Sequence, residues 1–267
     1  MSQSGMNPAG PIDRLRGGVA VVTGAGGAFG QAISRRLAAE GAAVALWEVR
    51  EESLGRLHDE LARTGATVHA ATVDVGDPDS VAAAAAQTTA ALGPPQLLVN
   101  NAGISEAARP WEVTDADWDR HMRVNASGPF YCVRALLGPM RERRYGKIVN
   151  IGSLSAQQGR PTTTPAYPAS KGAVLGLTVS LARHLAEFGI TVNAINPGFI
   201  RTVIHDQFTP EQLAPLTADI PLARRGEPGA GGLPEDIAGA VFFLLSPDSD
   251  FITGEFLSVN GGSRTGS

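Results

Sequence analysis

The chain has 267 residues and a formal net charge of −4, which suits one α/β domain around a single sheet and argues against nucleic acid or anionic membrane surfaces as main partners. Cys132 is the only cysteine, so no internal disulfide forms, and its apolar setting (Phe130-Tyr131-Cys132-Val133) fits a reduced thiol in a cytoplasmic protein. No apolar run reaches membrane-spanning length, and the expected partners are small molecules or further copies of the chain.

Residues 1–13 are polar, contain Gly and Pro, and read as a flexible lead-in; residues 14–267 read as one domain. From Gly18 onward short apolar runs alternate with amphipathic segments, the pattern of a parallel sheet wrapped by helices, and seven strands are expected. The first, Val19 to Val22, runs into the glycine-rich turn Thr23 to Gly30 and a helix ending near Gly41. Glycines at a strand-to-helix turn let the backbone approach a pyrophosphate, and the helix N-terminus turns unpaired N–H groups toward that charge; tight turns alone also use glycine.

The second strand, Ala43 to Trp47, ends in Glu48, eighteen residues past Gly30. An acid there can accept from an adenosine ribose and repel a 2′-phosphate, favouring NAD over NADP, or it can be a solvated strand-end charge; Arg50 can weaken the preference by neutralising it. After a helix from Glu51 to Arg63 and a strand from Thr67 to Val73, Asp74 can receive an adenine amino group or cap the next turn. Asp77 to Leu92 is an alanine-rich helix. The fourth strand, Gln96 to Val99, leads to Asn100-Asn101-Ala102-Gly103, either a plain turn or asparagines tying strand ends beside a cleft.

Thr114 with Asp117 marks a helix start, and the helix carries Asn125, a poor interior residue whose presence points to a local kink holding a water. The fifth strand, Lys147 to Ile151, delivers Ser153, with Ser155 a competitor for its role. The sixth, Thr191 to Ile195, leads to Asn196-Pro197-Gly198, and residues 199–232 read as an irregular lid. Leu233 to Asp236 opens another helix, and Phe256 to Val259 forms the last strand.

Between the fifth and sixth strands lies Ala166-Tyr167-Pro168-Ala169-Ser170-Lys171, at the head of a helix reaching Phe188. Positions four apart share a helix face, so the Tyr167 hydroxyl and the Lys171 ammonium can meet over one site. With three tyrosines and two lysines in the chain, chance gives this spacing only about 0.02 times. A tyrosine phenol ordinarily titrates near 10, and a cation beside it in a dry cleft favours the phenolate; the alternative is a packed ring and an exposed charge. Every polar cluster named here follows a strand, and in a parallel sheet those ends share the edge where such sheets bind ligands. His58, His69, His121, His184 and His205 lack metal-ligand spacing, so no metal is expected.

On Thr23-Gly24…Gly30, Asn100 to Gly103, Asn125, Ser153, Tyr167/Lys171 and Pro197-Gly198, the chain from Arg14 onward resembles the short-chain dehydrogenase/reductase family. The resemblance implies a Rossmann-type doubly wound, seven-stranded, mainly parallel α/β sheet, flanked by helices on both faces. It also implies transfer of a hydride between NAD(H), with NADP second, and a secondary alcohol or ketone of polyol, sugar or hydroxy-acid type. Tyr167 would be the acid/base, Ser153 would bind the substrate oxygen, Lys171 would support the phenolate and hold ribose, and Asn125 would anchor a relay water. Gly24, Gly27, Phe29, Gly30, Glu48, Asp74, Val75, Asn101, Ala102, Gly103, Tyr167, Lys171, Pro197, Gly198, Ile200 and Thr202 would form the cofactor site, and Ser155, Gln157, Arg160, Phe199 and His205 the substrate side. Self-association as a homotetramer, through the helices around Asn125 and Tyr167 and the last strand, is implied too.

Three departures from the family pattern stand out: Ala28 in place of a glycine, one extra residue between Ser153 and Tyr167, and an insertion at Glu227 to Gly232. A 3-oxoacyl-thioester reductase, whose carrier partner would meet Arg109, Arg160, Arg201 and His205, is the alternative within the family. A non-catalytic NAD-sensing or scaffold protein is the alternative outside it.

Overall fold

A computed structural model describes residues 14–159, 163–202, 205, 208–222 and 231–264, so the lead-in at 1–13, Arg160 and most of the insertion at 227–232 lie outside the described residues. The described strands are β1 (Val19–Thr23), β2 (Ala43–Glu48), β3 (Val68–Thr72), β4 (Leu97–Asn100), β5 (Gly146–Ile151), β6 (Ile190–Pro197) and β7 (Phe256–Val259). They form one parallel sheet in the order β3-β2-β1-β4-β5-β6-β7, the doubly wound arrangement expected.

Alternation along each strand builds two cores, which is why the strands read as unbroken apolar runs. Ala20, Val22, Leu46 and Val99 face α1 (Ala28–Ala39), α2 (Glu51–Arg63) and, C-terminal in the chain, the helix Pro234–Leu245, meeting Ile33, Leu37, Leu57 and Val241. Val21, Trp47 and Leu98 face the opposite side, where α3 (Pro78–Leu92) contributes Val81 and Ala84. The helices Gly128–Arg143 and Ala166–Leu185 complete that face with Leu136, Met140 and Leu185.

The sequence signals at helix starts translate into geometry. Asp77 caps α3 by accepting from the Asp79 N–H at 3.0 Å. Thr114 and Asp117 form a reciprocal capping box at the head of α4 (Asp115–His121). The expected kink is a π-helical turn, Met122–Ser127, which contains Asn125 and separates α4 from α5 (Gly128–Arg143).

Two short helices were not expected. Ser155–Gln158 makes a single turn, α6, directly after Ser153, ahead of α7 (Ala166–Leu185). Inside the segment read as irregular, Thr209 and Gln212 form a capping box for α8 (Pro210–Thr217), preceding α9 (Pro234–Leu245). The start signal Thr-Pro-Glu-Gln was present, but the helix it opens is only eight residues long with no fully buried position, so no apolar stripe announced it. The segment closes on itself at its base: Ile200 bridges to Gly232, Arg201 N–H donates to Gly232 O at 2.7 Å, and Gly232 N–H donates to Phe199 O at 3.1 Å.

The ends of β1 and β4, where strand order reverses, are tied by side chains. Thr23 Oγ1 donates to Val99 O and accepts from the N–H groups of Asn101 and Ala102, both at 3.0 Å. The Asn101 amide donates back to Thr23 O at 2.9 Å and Gly24 O at 3.0 Å. Asn100 and Asn150 continue the tie: Asn100 Nδ2 donates to Asn150 Oδ1 at 2.8 Å, and Asn150 Nδ2 to Thr178 Oγ1 at 2.9 Å.

Both lysines are buried. Lys147, at the start of β5, pairs with Asp250 at 2.7 Å and donates to Ser249 Oγ at 3.1 Å. Lys171, on α7, donates to Ile151 O at 2.7 Å, and burial pushes its ammonium down from 10.5 to about 8. The folded protein therefore gives up this proton before the unfolded chain does. Between pH about 8 and 10.5 the unfolded state binds more protons, so this residue adds stability as pH rises and loses it as pH falls through 8. Measured by urea unfolding, the stability of wild type relative to Lys171→Met is expected to climb across that window by on the order of 3 kcal/mol; a difference that stays flat would show that Lys171 titrates normally.

Candidate active site

β1 delivers the glycine turn to the sheet edge. Gly24 has φ 63°, and a Cβ there would lie 2.8 Å from Ala102 Cα, so the turn packs against the Asn101–Gly103 backbone only because the position is glycine. A Cβ on Gly30 would sit 2.2 Å from Gly24 O, which fixes the approach of α1 to the turn. Ala28, the family departure, takes the first helical position behind Gly27 and lines the cleft, so its methyl leaves these close approaches intact.

Glu48 is buried at the end of β2 and fully engaged. Its Oε2 accepts from Gly26 N at 3.0 Å, and its Oε1 from the N–H groups of Val49 and Arg50 at 3.1 Å and from Arg50 Nε at 3.3 Å. The carboxylate thus holds the glycine turn as well as facing the cleft, while the Arg50 side chain remains 66% exposed. Asp74 divides its roles: Oδ1 caps the turn by accepting from Gly76 N at 2.8 Å, and Oδ2 takes Arg123 Nη1 at 3.3 Å, with the side chain still on the cleft wall beside Val75.

A cavity of about 870 Å³ runs from Glu48, Asp74 and Val75 past Gly24, Gly27 and Phe29 to Asn101, Ala102 and Gly103. It shares Phe29, Asn101, Gly103, Ile104 and Ser105 with a second cavity of about 240 Å³, in which Ser153, Tyr167, Lys171, Pro197 and Gly198 come together. A third, about 360 Å³, shares Ser153 and Tyr167 and adds Ser155, Phe199, Ile200, Thr202 and His205. The three make one continuous groove along the C-terminal ends of the strands, with the polar set where the second and third join.

Tyr167 and Lys171 sit one helical turn apart on α7 and line the same cavity. Ser153 Oγ accepts from the Ser155 N–H at 3.1 Å, which leaves its own hydroxyl proton to donate. Ser153 lines both the second and the third cavity and Ser155 only the third, which separates the two serines. Asn125 stands behind the groove: Oδ1 accepts from Ile104 N at 2.8 Å, and Nδ2 donates to Ile104 O at 2.9 Å and Ser170 Oγ at 3.0 Å. A Cβ on Gly103 would lie 3.2 Å from Asn125 Oδ1 and 3.4 Å from Lys171 Nζ, so the two side chains converge beneath this glycine.

Not every expected residue lands in the groove. Gln157 is turned toward the chain end, its Oε1 accepting from Arg264 Nη1 at 3.0 Å. Arg109 stacks over Trp111, 5.6 Å from the ring centroid, and Arg201 lines a cavity on the far side of the glycine turn with Arg35 and Arg50. These arginines and His205 do not gather into one basic patch. Conversely, Ser105 touches all three parts of the groove and Arg120 its adenosine-side wall, and neither was singled out. Ser105 lies two residues past the Asn-Asn-Ala-Gly turn, and that proximity was its one signal; Arg120 looked like any other surface charge on α4.

The residues present fit a nicotinamide dinucleotide: an extended groove over a glycine turn at a helix N-terminus, an acid at one end and a hydroxyl/ammonium set at the other. The family described as enoyl-(acyl carrier protein) reductase matches residues 24–264. The 2-dehydro-3-deoxy-L-rhamnonate dehydrogenase (NAD(+)) of Sphingomonas sp. (strain SKA58) is 36% identical over 253 residues, covering 94% of this chain and 97% of that protein. Two solved structures are similar. A blue fluorescent protein from a metagenomic library, in complex with NADPH, has 39% identity and a TM-score of 0.86, covering 94% of this chain and all 100% of that one. A 3-oxoacyl-[acyl-carrier protein] reductase from Brucella melitensis ATCC 23457 has 31% identity and a TM-score of 0.88, covering 98% and 97%. Likeness of this extent, in a chain whose glycine turn and Tyr167/Lys171 pair meet on one sheet edge, makes the protein a member of the short-chain dehydrogenase/reductase family, and so an oxidoreductase.

Proposed function

We propose that the protein interconverts a secondary alcohol and a ketone on a small polyol, sugar or hydroxy-acid substrate, with NAD(H) as its cofactor. The observation that carries this reading is the meeting of Ser153, Tyr167 and Lys171 in one cavity, open on one side to the dinucleotide-sized groove and on the other to a chamber of about 360 Å³. The bound nicotinamide supplies the hydride acceptor or donor.

In the oxidising direction the Ser153 hydroxyl donates to the substrate oxygen and fixes it beside Tyr167. The Tyr167 phenolate takes the alcohol proton while the carbon-bound hydrogen leaves as hydride, so a C=O bond replaces C–H and O–H. Reduction runs the same proton back from the phenol. Lys171, held by Ile151 O, presents its ammonium to this site and favours the phenolate. Asn125, through its bonds to Ile104 and Ser170, keeps the wall behind Gly103 in place and anchors the relay water. The lid role expected of residues 199–232 rests on Phe199, Ile200, Thr202 and His205, which line the substrate chamber.

Glu48 supports NAD. Its charge stands at the adenosine end of the groove, held by three backbone N–H groups, and a 2′-phosphate approaching it would meet repulsion that Arg50 offsets only in part. The Sphingomonas relative is named for NAD(+), whereas the metagenomic neighbour holds NADPH, so the reading for NAD rests on Glu48. Reduction of 3-oxoacyl thioesters is the second reading and rests on the likeness to the Brucella reductase.

A homotetramer is part of the same proposal: Phe251 is fully exposed, with Phe243 and Leu257 also exposed on α9 and β7, and Phe130 and Val179 on α5 and α7. The deeply buried Cys132 thiol, pushed up to about 12 by burial, suits a reducing cytoplasm.

With polyols, hydroxy acids and acetoacetyl-CoA as probes, Tyr167→Phe is expected to lose about 10²–10⁴ of kcat/KM while still binding NADH; undiminished turnover would remove the proposed chemistry. NADH binding by the wild type without any turnover would favour the sensing alternative. The wild type is expected to prefer NAD over NADP by at least about 10-fold and Glu48→Gln to approach parity, and a wild-type preference for NADP would reverse the cofactor assignment. Sedimentation at micromolar concentration is expected to report about four chain masses; a monomer would end the tetramer proposal.

A further inference from the structure

His205 projects from the lid segment into the substrate-side chamber, and its geometry fixes which of its nitrogens carries the proton. The Thr202 backbone N–H donates to His205 Nδ1 at 3.1 Å, with Thr202 Oγ1 also 3.1 Å from that nitrogen. A backbone N–H can only donate, so Nδ1 is the bare, accepting nitrogen and the neutral ring carries its proton on Nε2. Phe199 and Phe208 each make a T-shaped contact with the ring, at centroid distances of 5.0 Å and 5.3 Å.

The chamber this ring lines has a consistent character. Ser155 and Thr163 add hydroxyls, Leu154, Phe199 and Ile200 add apolar wall, and no lysine, arginine, aspartate or glutamate lines it among the described residues. Among the described residues a substrate carboxylate placed there would lose its water without gaining a cation. A neutral hydroxyl instead finds uncharged donors and acceptors at hydrogen-bonding strength.

We propose that His205 is the specificity-determining donor of the substrate chamber: its Nε2–H hydrogen-bonds a second, uncharged oxygen of the substrate, and the enzyme therefore acts on neutral polyhydroxylated compounds. The inference rests on the alcohol/ketone reading above and narrows its substrate class. The bond to Thr202 gives the ring a second task. Because Thr202 lines the same chamber, His205 positions that residue while it reads the substrate.

The test compares butane-2,3-diol, butan-2-ol and 3-hydroxybutyrate in wild type and three variants, by kcat/KM and by binding to the enzyme–NADH complex through NADH fluorescence. Wild type is expected to favour the diol over both other probes. His205→Phe keeps the aromatic packing but no donor, and should lose roughly 10- to 100-fold on the diol and much less on butan-2-ol. His205→Gln, whose amide reaches the Nε2 position, should restore most of the preference. His205→Asn, which reaches only the Nδ1 position, should not, although its KM for NAD should stay closer to wild type than that of the Phe variant. In ¹⁵N-histidine-labelled protein the resonance lost in His205→Gln should report an Nε2-protonated ring. An Nδ1-protonated ring, a diol preference that survives His205→Phe, or a wild-type preference for 3-hydroxybutyrate overturns the inference while leaving the alcohol/ketone reading standing. Diol binding without turnover of any probe sinks that reading alone, and no binding of any probe sinks both.

Discussion

The molecule depends on how the ends of β1 and β4 are held where the sheet changes winding direction. Helices leave these two strands toward opposite faces, so the edge opens into a crevice there, and nothing in the ladder itself stops the strand ends from splaying. Thr23 and Asn101 bridge the gap with five hydrogen bonds, four of them to backbone groups of the facing turn. At about 1 kcal/mol each they form a modest sum, but all of it is spent on one geometry: the glycine turn and the Asn101–Gly103 turn lying against each other at near-contact distance. The floor of the dinucleotide groove is this contact, and Glu48 reinforces it from the β2 side through Gly26.

The reactive end is organised by the same economy. The π-helical turn moves Asn125 out of ordinary helical register so that its amide reaches the backbone of Ile104 and the hydroxyl of Ser170, one helix over. Lys171 arrives beside Asn125, beneath Gly103, from α7. A buried ammonium is expensive, and with the Ile151 carbonyl as a partner it is left with a proton that is loosely held for a lysine yet still present at neutral pH. That is the condition under which a cation can support a phenolate and remain part of a proton path.

Much of this was legible in the residues. The inner strands, covered on both faces, must be apolar throughout, and with the turn signals between them this placed all seven within a residue or two. The kink at Asn125 followed from a helix-averse residue inside a helix, and the role of Asn101 from an amide at a strand end. What could not be read depends on distant returns of the chain. Glu48 lines the groove as expected, but that its oxygens also tie Gly26 and its own turn was not legible; Gln157 was expected in the chamber, but Arg264, 107 residues away, accounts for its amide oxygen. Ser105 and Arg120 carry no periodic signal, and α8 has no buried stripe to betray it. The tautomer of His205 required the Thr202 N–H to be seen in place.

The short bridge between Ile200 and Gly232 has an evolutionary corollary. Because the chain departs from and rejoins the framework at nearly one point, whatever lies between is topologically a cassette. Doubling its length would raise the closure cost by only about 0.6 kcal/mol, and none of that strain would reach the strands. The detour can therefore be rewritten without disturbing the strand ends that carry Ser153, Tyr167 and Lys171 to one cavity.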